Sequence, residues 1–79
     1  MMIIYKVTES KDYESTDKFF EKEEDARTFM EHKANKYLEE RYDLYVNLDV
    51  PRHLHLRFGD PDDLNGLFVM FDIDEIIVY

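Results

Sequence analysis

The stretch EEDARTFMEHKANKYLEERY, residues 23–42, decides the fold because its apolar positions follow the period of an α-helix. Apolar and long side chains recur three and four residues apart, so they lie along one side of a helix. Glu23, Glu24 and Asp25 suit the positive end of a helix dipole, although no Ser or Thr caps them. The stripe consists of Ala26, Phe29, Met30, Lys33, Ala34, Tyr37, Leu38, Arg41 and Tyr42. The stretch therefore predicts one amphipathic helix that packs on a sheet.

Two strands are predicted ahead of the helix. Residues 2–8, MIIYKVT, are rich in β-branched and aromatic side chains, and residues 16–20, TDKFF, predict a shorter strand that pairs with the first as a hairpin. The polar interval ESKDYES, residues 9–15, is long for a tight turn, which predicts a mobile hairpin tip.

The segment Leu44–Val50 has two interpretations. Every second residue is apolar, beginning at Leu44, and the residues between them are Tyr45, Asn47 and Asp49, as in a half-buried strand. Alternatively, the helical stripe would continue through Tyr45 and Asp49. We favour the strand because the alternation is strict.

The rest of the chain alternates again around a polar turn. Pro51 interrupts any ladder, and the next run, His53–Phe58, alternates between polar and apolar side chains. Residues 59–66, GDPDDLNG, are dense in turn formers. Residues 67–79 then form either one bent strand or two short ones.

The order of these elements is two strands, a helix and then three or four strands. This order predicts an α+β fold in which one amphipathic helix packs on an antiparallel sheet of about four to six strands. A chain of 79 residues is long enough for a single domain, spanning residues 1–79.

Composition limits the classes of function. The chain has no cysteine, so its stability rests on packing rather than on disulfides, which fits a cytoplasmic protein. Its formal net charge of −9 repels phosphate backbones, which argues against direct nucleic-acid binding, and attracts basic protein surfaces. The same charge would also serve solubility alone. Residues 1–12, MMIIYKVTESKD, lack the basic start of a signal peptide, and no apolar run reaches 18 residues, so we expect neither a signal peptide nor a membrane span and no membrane contact.

His53 and His55 are the strongest candidates for a metal site. Residues two apart on a strand point the same way, so both imidazoles could reach one ion. A third ligand is missing because His32 is expected on the solvent side of the helix, and Arg57 shares the face of the two histidines and disfavours a cation. We therefore expect a solvated strand face, and keep a metal or small-ligand site at His53 and His55 as the alternative.

No other motif supports catalysis or a cofactor. The acidic turn resembles a calcium loop, but aligning Gly66 with the loop glycine places Pro61 at the first ligand position, where proline supplies no ligand. The glycines form no phosphate loop, and Ser10 and Ser15 have no histidine nearby in sequence. The sequence predicts a protein that is not an enzyme and needs no cofactor.

Three segments carry a resemblance to a loose group of proteins. YKV at residues 5–7, FFEKEEDARTFM at residues 19–30 and DIDEIIVY at residues 72–79 resemble small uncharacterised proteins of bacteria and their phages, in which a hairpin leads into a helix and the chain ends in a strand. The resemblance covers about the first forty residues and the last ten. It implies a phage or mobile-element accessory protein, a group in which small acidic folds that block host proteins recur, and it implies no catalytic residues.

These observations predict a small acidic protein-binding module, and more specifically an inhibitor of a host protein or a mimic of nucleic-acid charge. The expected partner is a host protein with a basic surface, and the sequence also leaves homodimer formation as an alternative. The predicted contacts are acids that no Lys or Arg interrupts, joined by one strand tyrosine. They are Asp60, Asp62, Asp63, Asp72, Asp74, Glu75 and Tyr45.

Overall fold

The computed structural model of the protein describes residues 1–59 and 66–79. Within these residues the chain forms one helix, α1 (Glu23–Glu40), and five strands. The strands are β1 (Met2–Lys11), β2 (Glu14–Phe20), β3 (Leu44–Val50), β4 (His53–Phe58) and β5 (Leu67–Val78). They form one antiparallel sheet in the order β2-β1-β5-β4-β3. The predicted α+β fold and its order of elements are confirmed.

α1 covers one face of this sheet. Its buried residues are Ala26, Met30 and Ala34, and Phe29, Tyr37 and Leu38 pack beside them, so the predicted stripe is confirmed over these positions. The sheet contributes Val7, Leu54, Leu56, Phe58, Val69, Phe71 and Ile73 to the same core. The helix ends at Glu40, and Tyr42, which was predicted to continue the stripe, is exposed.

The first hairpin is tighter than the sequence predicted. β1 runs to Lys11, which pairs with Glu14, so Asp12 and Tyr13 alone form the turn. Asp12 has a φ of 49°, a left-handed conformation that Asp tolerates because its short side chain can hydrogen-bond locally. The expectation of a long polar tip was wrong. β2 is an edge strand that is exposed along most of its length, so its first residues are polar and resemble a turn in sequence.

β3 is a strand, as favoured, but its alternation is broken. Leu44 pairs with Phe58, whereas Val46 pairs with Arg57, so the register shifts at Tyr45. A shift of one residue moves the following side chains to the other face of the sheet. The apolar residues that consequently lie on the face opposite α1 are Val46, Leu48 and Val50.

β1 and β5 extend together beyond the rest of the sheet. β4 pairs with β5 only as far as Asp72, and β2 pairs with β1 only from Tyr5. We call the two-stranded end that remains, residues 2–4 paired with residues 76–78, the terminal ribbon. β5 is thus one strand of 12 residues rather than two, and the molecule measures 47 × 21 × 17 Å.

Candidate protein-binding face

The face of the sheet opposite α1, which we call the open face, carries rows of side chains set by strand pairing. One row joins Val50, His53, Asp72, Thr8 and Asp17 across all five strands. The next row joins Leu48, His55, Met70, Ser10 and Ser15, and a third joins Val46, Arg57 and Phe68. The half formed by β3, β4 and the adjoining part of β5 is therefore largely apolar around two imidazoles and the guanidinium of Arg57, whereas the half formed by β1 and β2 is largely polar.

The apolar side chains of β3 stand at the edge of this face. Leu48 is 47% exposed and Val50 is 42% exposed. β3 ends the strand order, so no strand among residues 1–59 and 66–79 pairs with its outer edge. Soluble proteins usually cover or charge such an edge, and an exposed apolar one marks a surface on which another chain can dock.

Phe68 organises the centre of the apolar half. The ring of His55 meets it edge to face with 4.6 Å between centroids, and the guanidinium of Arg57 lies 4.9 Å from its centroid. Arg57 Nε also donates to Nε2 of His55 at 3.2 Å. Burial lowers the pKa of His55, and the charges of Arg57 and His53 lower it further. His55 is therefore neutral at physiological pH and accepts the hydrogen bond from Arg57.

His53 and His55 share one face, as predicted, but each imidazole already contacts another side chain of the same sheet, His53 that of Asp72 and His55 that of Arg57. His53 Nδ1 lies 2.6 Å from Oδ1 of Asp72 on the neighbouring strand. The two imidazole centroids are 6.1 Å apart, and His32 is exposed on α1. Within the described part of the chain, no three His, Cys, Asp or Glu side chains come together in a way that could hold a metal ion. Among the residues that the structure describes, the geometry thus supplies no third ligand for the metal alternative.

Tyr45 lies where the register of β3 shifts. It borders a shallow cavity of about 250 Å³, below the volume of about 300–1,000 Å³ that small-molecule pockets usually have. The other described residues around this cavity are Arg57, Phe58, Gly66, Leu67 and Phe68. The sequence placed Tyr45 on one face with Asn47 and Asp49, but the shift at Tyr45 separates them, and Asn47 pairs with Leu56 of the core face. Tyr45 instead joins the edge of the Arg57 and Phe68 cluster.

The predicted acidic contacts are dispersed among different environments. Asp60, Asp62 and Asp63 lie outside the described residues. Among the others, Asp72 contacts His53, and Asp74 is exposed opposite Lys6 on β1. These two acids point to the open face from neighbouring positions of β5.

Glu75 has a basic partner that the sequence did not indicate. Arg52 Nη2 lies 2.7 Å from Oε1 of Glu75, and Arg52 Nε lies 2.8 Å from Oε1 of Glu23. This hydrogen bond is the main cause of the lowered pKa of Glu23. Glu23, Arg52 and Glu75 are far apart in sequence, so their two ion pairs become visible only in the folded structure.

Other acids keep the surface negative. Several cations are already paired, as Arg27 is with Glu31 at 2.9 Å and Lys33 with Glu9 at 3.8 Å. Within residues 1–59 and 66–79, eight exposed acids make no ion pair or side-chain hydrogen bond: Asp12, Glu14, Glu21, Glu24, Asp25, Glu39, Glu40 and Asp74. They are spread over the helix, the hairpin and β5, so they produce a diffuse negative field.

Comparison with known proteins gives no relative: no family model, curated protein or solved structure matches this chain. The resemblance to phage and bacterial accessory proteins therefore stays a prediction. In the described part of the chain, no helix has the length and apolar character needed to cross a membrane.

Proposed function

We propose that the chain is a non-catalytic protein-binding module that holds its partner on the β3–β4 half of the open face. The observation that carries this proposal is the apolar row of β3, in which Leu48 and Val50 are exposed and Val46 is half-buried, on a sheet face that no other element covers in the described residues. Beside this row lie an aromatic ring, a methionine and an arginine, residue types that are enriched in protein interfaces.

The partner is a protein with an apolar patch that meets this half of the sheet, and with a basic surface around the patch that faces the acids outside this half. Interfaces combine a desolvated apolar core with a polar rim, and Leu48 with Phe68 and Met70 would supply the core on this side. The negative field of the molecule would attract basic groups and speed encounter. A cytoplasmic location and a role as inhibitor of a host protein belong to the same proposal.

A matched pair of variants on β3 tests the position of this interface. Leu48→Asp and Asn47→Asp place the same new charge on neighbouring residues that point to opposite faces. The partner is first captured on the immobilised parent protein, then purified and titrated against each variant. We expect Leu48→Asp to weaken binding about tenfold or more, because it buries a charge in the contact, and Asn47→Asp to bind like the parent.

Salt dependence separates steering by the negative charge from docking on the apolar row of β3. If charge steering contributes, association slows as ionic strength rises, because exposed charges are screened beyond about 8–10 Å at physiological salt. Equal binding by the parent and Leu48→Asp would contradict docking on the open face. An association rate that does not change with salt would show that the negative charge serves solubility.

A further inference from the structure

The two edge strands of the sheet differ in how they are protected. Among residues 1–59 and 66–79, β2 and β3 end the strand order. β2 carries Glu14, Asp17 and Lys18, all exposed, and charged side chains discourage pairing with another chain. Between residues 44 and 50, β3 has a single charged side chain, Asp49, and no Lys, Arg or Pro. The edge of β3 is therefore the less protected of the two.

The hydrogen bonds of β4 show which backbone groups of β3 are free. The carbonyl of Arg52 accepts from the N–H of Ile73 on β5, so Arg52 faces β5 and His53, the next residue, faces β3. At the opposite end of β4, Gly59 also faces β3, because its N–H donates to the carbonyl of Asp43 at 2.8 Å. The odd-numbered residues of β4 therefore direct their backbone groups to β3.

The strand register carries this pattern onto β3. The odd-numbered residues of β4 pair with Val46, Leu48 and Val50, so these three residues direct their N–H and C=O groups to β4. Asn47 and Asp49 consequently direct theirs to the outer edge, where no strand in the described part of the chain pairs with them. Each of the two offers one donor and one acceptor to an incoming strand.

We propose that the outer edge of β3 binds an extended segment of the partner as an added antiparallel strand, an inference that rests on the function proposed above. Hydrogen bonds to the backbone of Asn47 and Asp49 give affinity, and side chains at alternate positions give specificity. The segment is apolar where it lies beside the row of Val46, Leu48 and Val50, and basic opposite Asp49. Antiparallel pairing continues the pattern of the whole sheet and is the more stable kind per residue.

Charge at this edge favours a basic segment over a second copy of the chain. Asp49 lies on the side of the sheet that faces α1, where Nη2 of Arg27 is 4.0 Å from its Oδ1 but only 2.9 Å from Oε1 of Glu31. Arg27 thus serves two acids and holds Asp49 at the outer limit of an ion pair, so a cation opposite Asp49 would be favourable. β3 of a second copy has no Lys or Arg to place there, and it would add another net charge of −9.

A synthetic peptide with the core Val-Lys-Val-Thr-Val, titrated into isotope-labelled protein and followed by NMR, tests the added strand. Its Lys is designed to lie opposite Asp49 and its Thr opposite Asn47. We expect the amide signals of Asn47 and Asp49 to shift, and their exchange with solvent to slow in the complex. The amide of Leu48 already bonds to β4, so it should be protected in both states.

Modified peptides separate backbone pairing from side-chain contact. N-methylation of the peptide's Lys removes an N–H that faces β3, and should weaken binding about tenfold or more. N-methylation of the central Val is the matched control, because that N–H faces away from β3 and the peptide should bind as before. A peptide with Glu in place of Lys should bind more weakly, because it sets a second carboxylate opposite Asp49.

A pair of protein variants makes the same test from the other side. Asn47→Pro removes an N–H from the outer edge and leaves the ladder with β4 intact, at a position where an edge strand tolerates proline. We expect it to weaken peptide binding about tenfold or more, and Asn47→Ala, which keeps the N–H, to bind like the parent. Circular dichroism checks that both variants fold, and the N-methylated peptides probe the unaltered protein.

The outcomes distinguish this inference from the proposed function. No shift at millimolar peptide, or equal binding by the two N-methylated peptides, overturns the added strand, and equal binding by the Lys and Glu peptides overturns its basic character. Self-association of the parent that Asn47→Pro abolishes, without peptide binding, would assign the edge to a second copy. If Leu48→Asp weakens binding of the captured partner and Asn47→Pro does not, the partner docks on the open face without adding a strand. Full binding of that partner by both variants contradicts both proposals.

Discussion

The two faces of the sheet are built from alternate residues of the same strands and have opposite properties. On β5, Phe71 is fully buried beneath α1, whereas its neighbour Met70 is only half-buried on the open face. On β4, Leu54 and Leu56 are buried, whereas His55 between them meets the ring of Phe68 edge to face on the open face. One face thus contributes to the free energy of folding, and the other leaves side chains available for recognition. Substitutions on the two faces should differ accordingly.

The largest difference is expected between Phe71→Ala and Met70→Ala. Phe71 is 0% exposed in the core, so its truncation should reduce the free energy of unfolding by about 3–5 kcal/mol. Met70 is partly solvated already, so its truncation should cost clearly less. Urea denaturation followed by circular dichroism measures both values. In a domain this small the Phe71 variant can approach complete unfolding, and Met70→Ala then serves as the folded reference.

Comparable losses in the two variants would contradict the assignment of a single core. They would mean that the open face is covered in solution, by a second copy or by another part of the chain. A measurement of both variants at low and high protein concentration separates these cases, since only contact with a second copy depends on concentration.

Much of this architecture could be predicted from local periodicity. The stripe from Ala26 to Leu38 indicated the helix, and the alternation of residues 53–58 indicated both the strand and the sharing of one face by His53, His55 and Arg57. These features depend on residues close in sequence, whose spacing is fixed by the geometry of helix and strand. The order of elements followed from them.

The features that the sequence did not indicate depend on distant contacts. The register shift at Tyr45 moves Leu48 to the open face. The shift arises from pairing with β4 and does not change the order of apolar and polar residues in 44–50, so the sequence pattern does not indicate it. The pairing of Glu75 with Arg52 likewise requires the sheet to bring the two together. The candidate interface therefore moved from acids chosen by sequence spacing to an apolar edge that only the strand register defines.

A smaller loss is expected from Tyr37→Phe, at the margin of the core face. The hydroxyl of Tyr37 donates to Oε2 of Glu9 at 2.8 Å, where α1 packs on β1. Loss of a hydrogen bond to a carboxylate in this half-buried position should reduce the free energy of unfolding by about 1–2 kcal/mol. Urea denaturation at neutral pH measures it. Tyr42→Phe is the control, because Tyr42 is exposed, and it should unfold like the parent.

The alkaline pH dependence provides a second test of the same contact. Burial raises the pKa of Tyr37 above its ordinary value of 10.0, and the hydrogen bond to Glu9 raises it further. Because the folded state holds the proton more tightly, this contribution to stability is complete below pH 10.0 and is lost as the pH rises above it. The difference in stability between the parent and Tyr37→Phe should therefore shrink in alkaline solution. A difference that stays constant would show that Tyr37 stabilises by packing alone.

The smallest effect is expected from Arg52→Gln, at the junction of the two faces and the terminal ribbon. Arg52 binds Glu23 at the start of α1 and Glu75 on β5, but all three side chains are well exposed, so solvent weakens both ion pairs. The hydrogen bond from Arg52 lowers the pKa of Glu23 below its ordinary value of 4.5. A carboxyl with a lowered folded pKa stabilises the fold above that ordinary value, and the contribution is lost as the pH falls through the folded pKa. We therefore expect Arg52→Gln to be slightly less stable than the parent at neutral pH.

The stabilities of the parent and of Arg52→Gln should converge in acid, once Glu23 is protonated in both the folded and unfolded states. Lys36→Gln removes the same charge from an exposed position on α1, and urea denaturation of all three proteins at several pH values makes the comparison. If Arg52→Gln loses no more stability than Lys36→Gln, the bridge between helix and β5 does not hold the base of the ribbon, and the ribbon's position rests on the β1–β5 ladder alone.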